Sequence, residues 1–153
     1  MKLIPLTQGK FAQVDDTDYE YLSQFNWYVW NNGGRFYARR YSNGKTIFMH
    51  REILNIQSAD LYADHKDHNC LNNQRSNLRI ATKTENNKNK TSHKNSASKY
   101  LGVSKCNKGW RARITVDGEN KHLGVFLLEK DAALAYDEAA IVIHGEFANL
   151  NII

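Results

Sequence analysis

Asp64 and His65 are adjacent in the sequence, and two asparagines, Asn77 and Asn86, follow them in the same polar stretch. A carboxylate and an amide oxygen are ligands that Mg²⁺ accepts, and a single carboxylate leaves positions open for water and a substrate phosphate. A neutral histidine near its ordinary pKa is suited to take a proton from water. A metal held in this way neutralises a scissile phosphate and the leaving 3′ oxygen. These residue types therefore indicate metal-assisted cleavage of a phosphodiester bond.

The same side chains have other interpretations. An adjacent Asp and His is often incidental, and His65 and His68 are then polar residues of a surface loop. The segment around His50 fits a capping or core position. A zinc site is conceivable as well, although the chain lacks the Cys-x-x-Cys pair that is typical of structural zinc; its ligands would be Cys70, His65, His68 and His50.

The positive charge of the chain is concentrated in its middle. The 153 residues have a net charge of +5. Residues 61–110 contain ten Lys/Arg against three Asp/Glu, a net of +7, whereas residues 1–60 have a net of +1 and residues 111–153 a net of −3. A concentrated basic zone attracts a polyanion, of which nucleic acid is the usual one. A solvated face or a hydrophilic linker is the alternative explanation.

Composition excludes several classes of protein. At 41% apolar and 24% charged residues the chain is typical of a globular protein. No apolar run approaches the length of a membrane helix, and the segment Met1–Leu6 does not resemble a signal peptide. Two cysteines, Cys70 and Cys106, make neither a disulfide scaffold nor a four-thiolate zinc site. We therefore expect a cytoplasmic protein, in a bacterium or a phage-infected host cell, with no membrane partner.

The first part of the chain predicts a short helix and a β-meander. An acidic start at Asp15–Asp18 precedes a helical apolar stripe. Strands are predicted at Trp27–Trp30, Arg35–Tyr41 and Thr46–Met49, and Asn43-Gly44 favours a tight hairpin turn between the last two. Further on, the segment 82–85 fits a capping box and places Asn86 in the first turn of a helix.

A basic spacer separates this part from the rest of the chain. We predict a domain over 1–90, a linker over 91–99 and a second domain over 100–153. The linker region is too polar to fold alone, and it serves either as a plain spacer or as a segment that follows phosphates. The lysines that could contact phosphate there are Lys88, Lys90, Lys94 and Lys99.

The second domain predicts three strands and one helix. The strands are Leu101–Ser104, Trp110–Val116 and Lys121–Phe126, and the helix runs from about Glu129 to His144. The sheet segment is basic, with six Lys/Arg against two acids over 99–122, whereas the helix is acidic. If the helix covers one face of the sheet, the other face is free and positive, which suits a sheet laid into a DNA groove.

Four segments in the middle of the chain form one pattern: Met49–Ile53, Ala63–Asp67, Leu71–Arg79 and Ala81–Asn86. In this pattern the chain resembles an HNH endonuclease of the phage homing type. The resemblance implies a ββα-metal fold around one Mg²⁺ or Mn²⁺, with Asp64 and Asn86 as ligands. It implies that His65 is the general base, that Asn77 orients His65 by a hydrogen bond, and that His50 supports the site. The cysteine pairs of zinc-stapled members of this family are missing, so no structural zinc is expected.

The C-terminal part resembles the APETALA/ethylene-response-factor (ERF) DNA-binding domain, in which a three-stranded sheet enters the major groove. The matching segments are Tyr100–Val103, Trp110–Ile114, Leu123–Phe126, Ala132–Ala140 and Asn149–Asn151. The sequence departs from the plant domains at several contact positions, so their recognition sequence is not carried over; these positions are Leu101, Ser104, Cys106, Arg113 and His122. Trp110 fits either a DNA contact or a partial core position. The residues we expect to contact DNA are Lys105, Lys108, Trp110, Arg111, Arg113, Lys121 and His122.

Together these patterns predict an α+β protein. An N-terminal β-meander leads into a ββα-metal core, and a polar linker connects it to a three-stranded antiparallel sheet packed by one helix. The predicted function is a site-specific, metal-dependent endonuclease or nickase of the homing type, acting on double-stranded DNA as a monomer or as a dimer on the DNA. A non-catalytic DNA-binding transcription regulator is the main alternative. An RNA-binding or structural protein is a third, since the aromatic strand Trp27–Trp30 could stack on bases.

Overall fold

The computed structural model describes residues 1–89 and 97–151. The chain divides into two compact units, Met1–Thr84 and Glu85–Ile153. The prediction of a mixed protein with small antiparallel sheets is confirmed. Over the same described residues, no helix has the length and apolar character that crossing a membrane requires.

The first unit begins with a two-stranded sheet and a helix. β1 (Lys2–Pro5) pairs antiparallel with β2 (Phe11–Val14), and α1 (Asp16–Leu22) follows. Asp15, at the acidic start of this helix, also binds a distant part of the chain. Asp15 makes no side-chain cap; its carboxylate instead accepts hydrogen bonds from the Arg75 backbone N–H and from Gln74. The helix start is thereby fixed to a loop some sixty residues further along the chain.

A meander of three antiparallel strands forms the next layer. It consists of β3 (Tyr28–Asn32), β4 (Arg35–Ser42) and β5 (Lys45–Phe48), with β4 in the centre. The Asn43-Gly44 turn has positive φ at both residues, as the hairpin signal predicts. The predicted third strand ends one residue early because Met49, which is fully buried, begins α2 (Met49–Ile53).

The last elements of the first unit carry the Asp-His pair. β6 (Leu61–His65) pairs antiparallel with β7 (Leu78–Thr82), and a loop rich in asparagine joins them. α3 (Lys83–Lys88) begins directly after β7, where the capping box predicts a helix start, and it extends across the sequence boundary between the two units.

In the second unit three strands and one helix are present. The sheet has the order β10-β9-β8, formed by β8 (Val103–Cys106), β9 (Gly109–Val116) and β10 (Glu119–Phe126). α4 covers Glu129–His144 and agrees with the sequence prediction at both ends. Its small residues allow close packing on the sheet, and the buried ones are Ala132, Ala133 and Ala140.

The first strand of this sheet begins later than the sequence predicts. Leu101 and Gly102 form a turn instead of a strand. Gly102 has a φ of +74°, and a Cβ there would lie 2.0 Å from the ring of Tyr136 on α4. Glycine is therefore required at this position both by the backbone conformation and by the packing of the helix.

Candidate active site

The end of the β6–β7 hairpin buries Asp64 and His65, each only 5% exposed. Adjacent residues of a strand point to opposite sides, so the two side chains meet different neighbours. Asp64 pairs across the hairpin with Arg79, and His65 pairs with Leu78. The hairpin therefore fixes two ionisable groups side by side in a protected environment.

A buried ion pair compensates the charge of Asp64. The Asp64 Oδ2 atom accepts hydrogen bonds from Arg79 at 2.7 Å from Nε and 2.6 Å from Nη2. Both side chains are almost fully enclosed, at 6% and 10% exposure. A carboxylate buried to this extent requires such a partner, because an isolated charge is strongly disfavoured away from water.

The imidazole of His65 lies between an asparagine and a group of aromatic rings. Its Nε2 atom is 3.4 Å from the Oδ1 atom of Asn73. On the ring side, the centroids of Tyr37 and His50 lie 6.3 Å and 5.2 Å from that of His65. Burial lowers the pKa of His65 below its usual value, although the hydrogen bond to Asn73 and the nearby Asp67 and Asp64 act in the opposite direction. The imidazole is therefore neutral at pH 7, which is the state of a histidine that accepts a proton.

Asn77 organises the loop between the two strands. Its Oδ1 atom accepts a hydrogen bond from the backbone N–H of Asp67, and its Nδ2 atom donates to the Asp67 carboxylate and to the carbonyl of Asn72. Although burial by itself would raise the pKa of Asp67, hydrogen bonds from Asn72, Asn69 and Asn77 lower it. Asn77 thus fixes the chain immediately after His65, and its direct orientation of the imidazole stays a prediction.

Asn73 is a site residue that the sequence reasoning missed. It is completely buried, and its backbone N–H donates to the carbonyl of Gln13 on β2. Its side chain also donates to the carbonyl of Leu71. A run of asparagines was the only signal available, because nothing in their spacing distinguishes the one that faces His65.

His50 lies within the aromatic group, stacked on Phe48 with 5.4 Å between ring centroids. It is buried, and its Nδ1 atom has no hydrogen-bond partner in the part of the chain that the structure describes. Burial is the main reason why the pKa of His50 falls to about 3, and the charges of His65 and Arg51 lower it further. The side chain therefore remains neutral and packs as an aromatic ring beside His65.

A pH-dependent loss of stability follows from this burial. The unfolded chain binds a proton at His50 below about pH 6.5, whereas the folded protein does so only near pH 3. Stability therefore falls as the pH drops through this window. Between pH 7 and pH 5 we expect wild type to lose about 2 kcal/mol more than His50→Gln. Urea unfolding in a Trp110→Phe background, monitored by Trp27 and Trp30, measures this difference. An equal loss in both proteins would contradict it.

The two predicted metal ligands lie on different elements, Asp64 on β6 and Asn86 on α3. No group of three His, Cys, Asp or Glu side chains within residues 1–89 and 97–151 could hold a metal ion. The thiol of Cys70 instead donates to the carbonyl of His68. Metal binding by Asp64 and Asn86 stays a prediction; Mg²⁺ takes few protein ligands, and water and phosphate complete its shell.

The comparison with known proteins identifies the family. The chain is 34% identical over 150 residues to an uncharacterized HNH endonuclease of Acanthamoeba polyphaga mimivirus, and the match covers 94% of this chain and 76% of that protein. The chain belongs to the HNH endonuclease family. The prediction of a nuclease is thereby confirmed. No family model and no solved structure matches the chain.

The C-terminal sheet of this HNH endonuclease separates the predicted DNA contacts onto two faces. Arg111 pairs with Val125 and Arg113 with His122, so these side chains share a face. Ala112 and Ile114, the residues that alternate with these arginines along β9, are buried on the side that α4 covers. Arg111, Arg113 and His122 therefore lie on the face away from the helix.

Trp110 lies on the other side of the same sheet. It packs against the core beneath α4, and its ring is 6.0 Å from the Lys105 ammonium of the neighbouring strand. The strand register places Lys105 and Lys121 on this side too, and both side chains are exposed. Lys108 lies in the turn between β8 and β9. Trp110 therefore occupies a partly buried core position.

The remaining predicted residues are close in sequence to the boundary between the two units. Asn86 and Lys88 are on α3, and the Lys99 ammonium is 4.9 Å from the ring centroid of Tyr100. Lys90, Lys94 and most of the predicted linker lie outside the described residues.

Proposed function

We propose that this HNH endonuclease is a metal-dependent DNA endonuclease or nickase of the homing type, which hydrolyses phosphodiester bonds at a specific site in double-stranded DNA. The observation that carries the proposal is the buried pair at the end of β6. There Asp64 forms a buried ion pair with Arg79, and His65, whose pKa is lowered by burial, is neutral and in contact with Asn73.

In this mechanism His65 takes the proton from the attacking water. The Asn73 Oδ1 atom accepts a hydrogen bond from the Nε2–H group of His65. This hydrogen bond selects the imidazole tautomer whose free lone pair is on Nδ1. Asn77 holds the chain after His65 and orients the base. Asp64 and Asn86 would hold one Mg²⁺ or Mn²⁺. When bound, that cation would neutralise charge on the scissile phosphate and the leaving 3′ oxygen, leaving a 5′-phosphate and a 3′-hydroxyl.

Targeting is assigned to the C-terminal unit. Its sheet presents Arg111, Arg113 and His122 on the face that α4 does not cover. A three-stranded sheet of this kind fits the major groove, in agreement with the ERF resemblance of the segment. The basic residues of the predicted linker add phosphate contacts that do not depend on sequence.

Arg111→Ala is expected to weaken binding to duplex DNA and to lower the magnitude of its salt slope by about one. The reason is that each lost phosphate contact releases about one counterion fewer. Electrophoretic mobility shifts from 50 to 200 mM salt measure the slope. Lys130→Ala, an exposed lysine on α4, is the matched control and should leave it unchanged. A wild-type slope in Arg111→Ala would remove this face from the interface.

The activity itself is tested with supercoiled plasmid that carries a randomised insert, in Mg²⁺, in Mn²⁺ and in EDTA. Nicking or linearisation that requires the divalent cation supports the proposal. Retained duplex binding without cleavage in either metal would overturn the catalytic part and leave the DNA-binding regulator as the better description. Cleavage in EDTA would overturn the metal dependence.

A further inference from the structure

The β3–β4–β5 sheet has one face that its own core does not use. Val29 and Ala38, paired across β3 and β4, are buried in the core of the first unit. Residues one position away point to the opposite side. We call this side the aromatic face. Its aromatic and basic residues are Tyr28, Trp30, Arg35, Tyr37, Arg39, Tyr41 and Phe48, and Asn32 and Thr46 share it. All of them are half-buried or exposed, and Tyr41 is 65% exposed.

Three rings of the aromatic face, those of Trp30, Tyr37 and Phe48, contact one another and lead to the candidate base. The centroid of Trp30 is 5.5 Å from that of Phe48, and Phe48 stacks on His50. His50 in turn lies 5.2 Å from His65. A molecule that binds along this face therefore extends to the position beside His65, the proposed general base.

The charge of the aromatic face points to an anionic partner. The Arg39 guanidinium lies 5.3 Å from the ring centroids of both Tyr28 and Trp30. Its Nε atom is buried without a hydrogen-bond partner, and no ion pair of Arg39 is found among the described residues. Arg35 adds a second cation, and no acidic residue occupies a position on this face. By contrast, Arg40 on the opposite face is neutralised by Glu52.

We propose that the aromatic face binds an unpaired DNA strand next to the scissile bond, with bases stacking on its rings and Arg39 contacting phosphate. Aromatic side chains interleaved with cations are the recurrent means of holding single-stranded nucleic acid, because every base has a π-face. A base pair inside an intact duplex does not offer that face, so the substrate would be locally opened at the cleavage site. The proximity to cleavage rests on the proposed function, whereas the binding itself does not.

The test measures binding in EDTA, so that cleavage plays no part. Fluorescence anisotropy of labelled single-stranded DNA is compared with that of a fully paired duplex of the same sequence. Tyr41→Ala should weaken single-strand binding about 5- to 150-fold, the range for one stacked base. Arg39→Gln should lower the magnitude of the single-strand salt slope by about 0.7.

Each control removes a side chain of the same chemical kind from a position outside the aromatic face. Phe11→Ala removes an exposed aromatic residue of β2, and Lys45→Gln removes a cation from the opposite side of β5. Both should bind single strands as wild type does. Wild-type affinity in Tyr41→Ala and Arg39→Gln would overturn the inference, and so would an equal loss for the paired duplex. Face-dependent binding in a protein that never nicks plasmid would support this inference while overturning the proposed function.

Discussion

His65→Ala is expected to lower the cleavage rate about 10²- to 10⁴-fold, which is the usual contribution of a general base. The imidazole is buried, neutral and in contact with Asn73 at Nε2, so it is prepared to accept a proton from water. Supercoiled-plasmid nicking in saturating Mg²⁺ measures the rate. Binding to duplex DNA, measured in EDTA, should stay within a few-fold of wild type because the residue contributes chemistry and little contact area.

Two further measurements separate a base from a structural residue. Added imidazole should restore part of the rate in His65→Ala, since the deletion leaves a cavity of the right shape. Asn73→Ala should lower the rate less than His65→Ala does, because the base remains and only its tautomer and orientation are disturbed. Parallel loss of binding and cleavage in His65→Ala would contradict the role assigned to the residue.

Arg79→Met is expected to destabilise the protein by about 3–5 kcal/mol. The substitution leaves the Asp64 carboxylate buried at 6% exposure without the cation that accompanies it. Urea unfolding followed by circular dichroism at pH 7 gives the free energy of unfolding. Replacing both partners, as Asp64→Leu with Arg79→Met, should recover most of the loss, since an apolar pair of similar volume carries no uncompensated charge.

An ion pair whose arginine is exposed provides the control. Arg75 bonds Asp18 with similar geometry, but the Arg75 side chain is 53% exposed and that of Asp18 13%. Arg75→Met should therefore cost no more than about 1 kcal/mol. Similar losses in Arg75→Met and Arg79→Met would show that burial of the Asp64 pair has no special importance for stability.

Local patterns in the sequence determined several elements of this protein. α4 begins and ends where the sequence predicts, and the Asn43-Gly44 turn closes its hairpin as expected. These features depend on residues close together in the chain, whose backbone preferences are nearly independent of the rest of the fold. The nuclease prediction came from the residue types around Asp64 and from the resemblance to HNH endonucleases, and the relative confirmed it.

The partners of the candidate site were decided only by the tertiary structure. Arg79 meets Asp64 through the β6–β7 register, and Asn73 faces His65 because the β2 backbone holds its loop in place. Neither pairing follows from spacing, since many asparagines and arginines offer the same local signal.

The N-terminal meander also shows the difference between what local sequence predicts and what tertiary packing decides. The sequence marks Trp27 and Trp30 as members of one aromatic strand. In the structure Trp27 is buried and donates to the Leu22 carbonyl, whereas Trp30 lies on the aromatic face leading to His65. Which face of a strand turns inward depends on what packs against it, and this is set by elements distant in the chain. The sequence determined the local elements and the residues capable of chemistry, and long-range packing decided which of those residues meet.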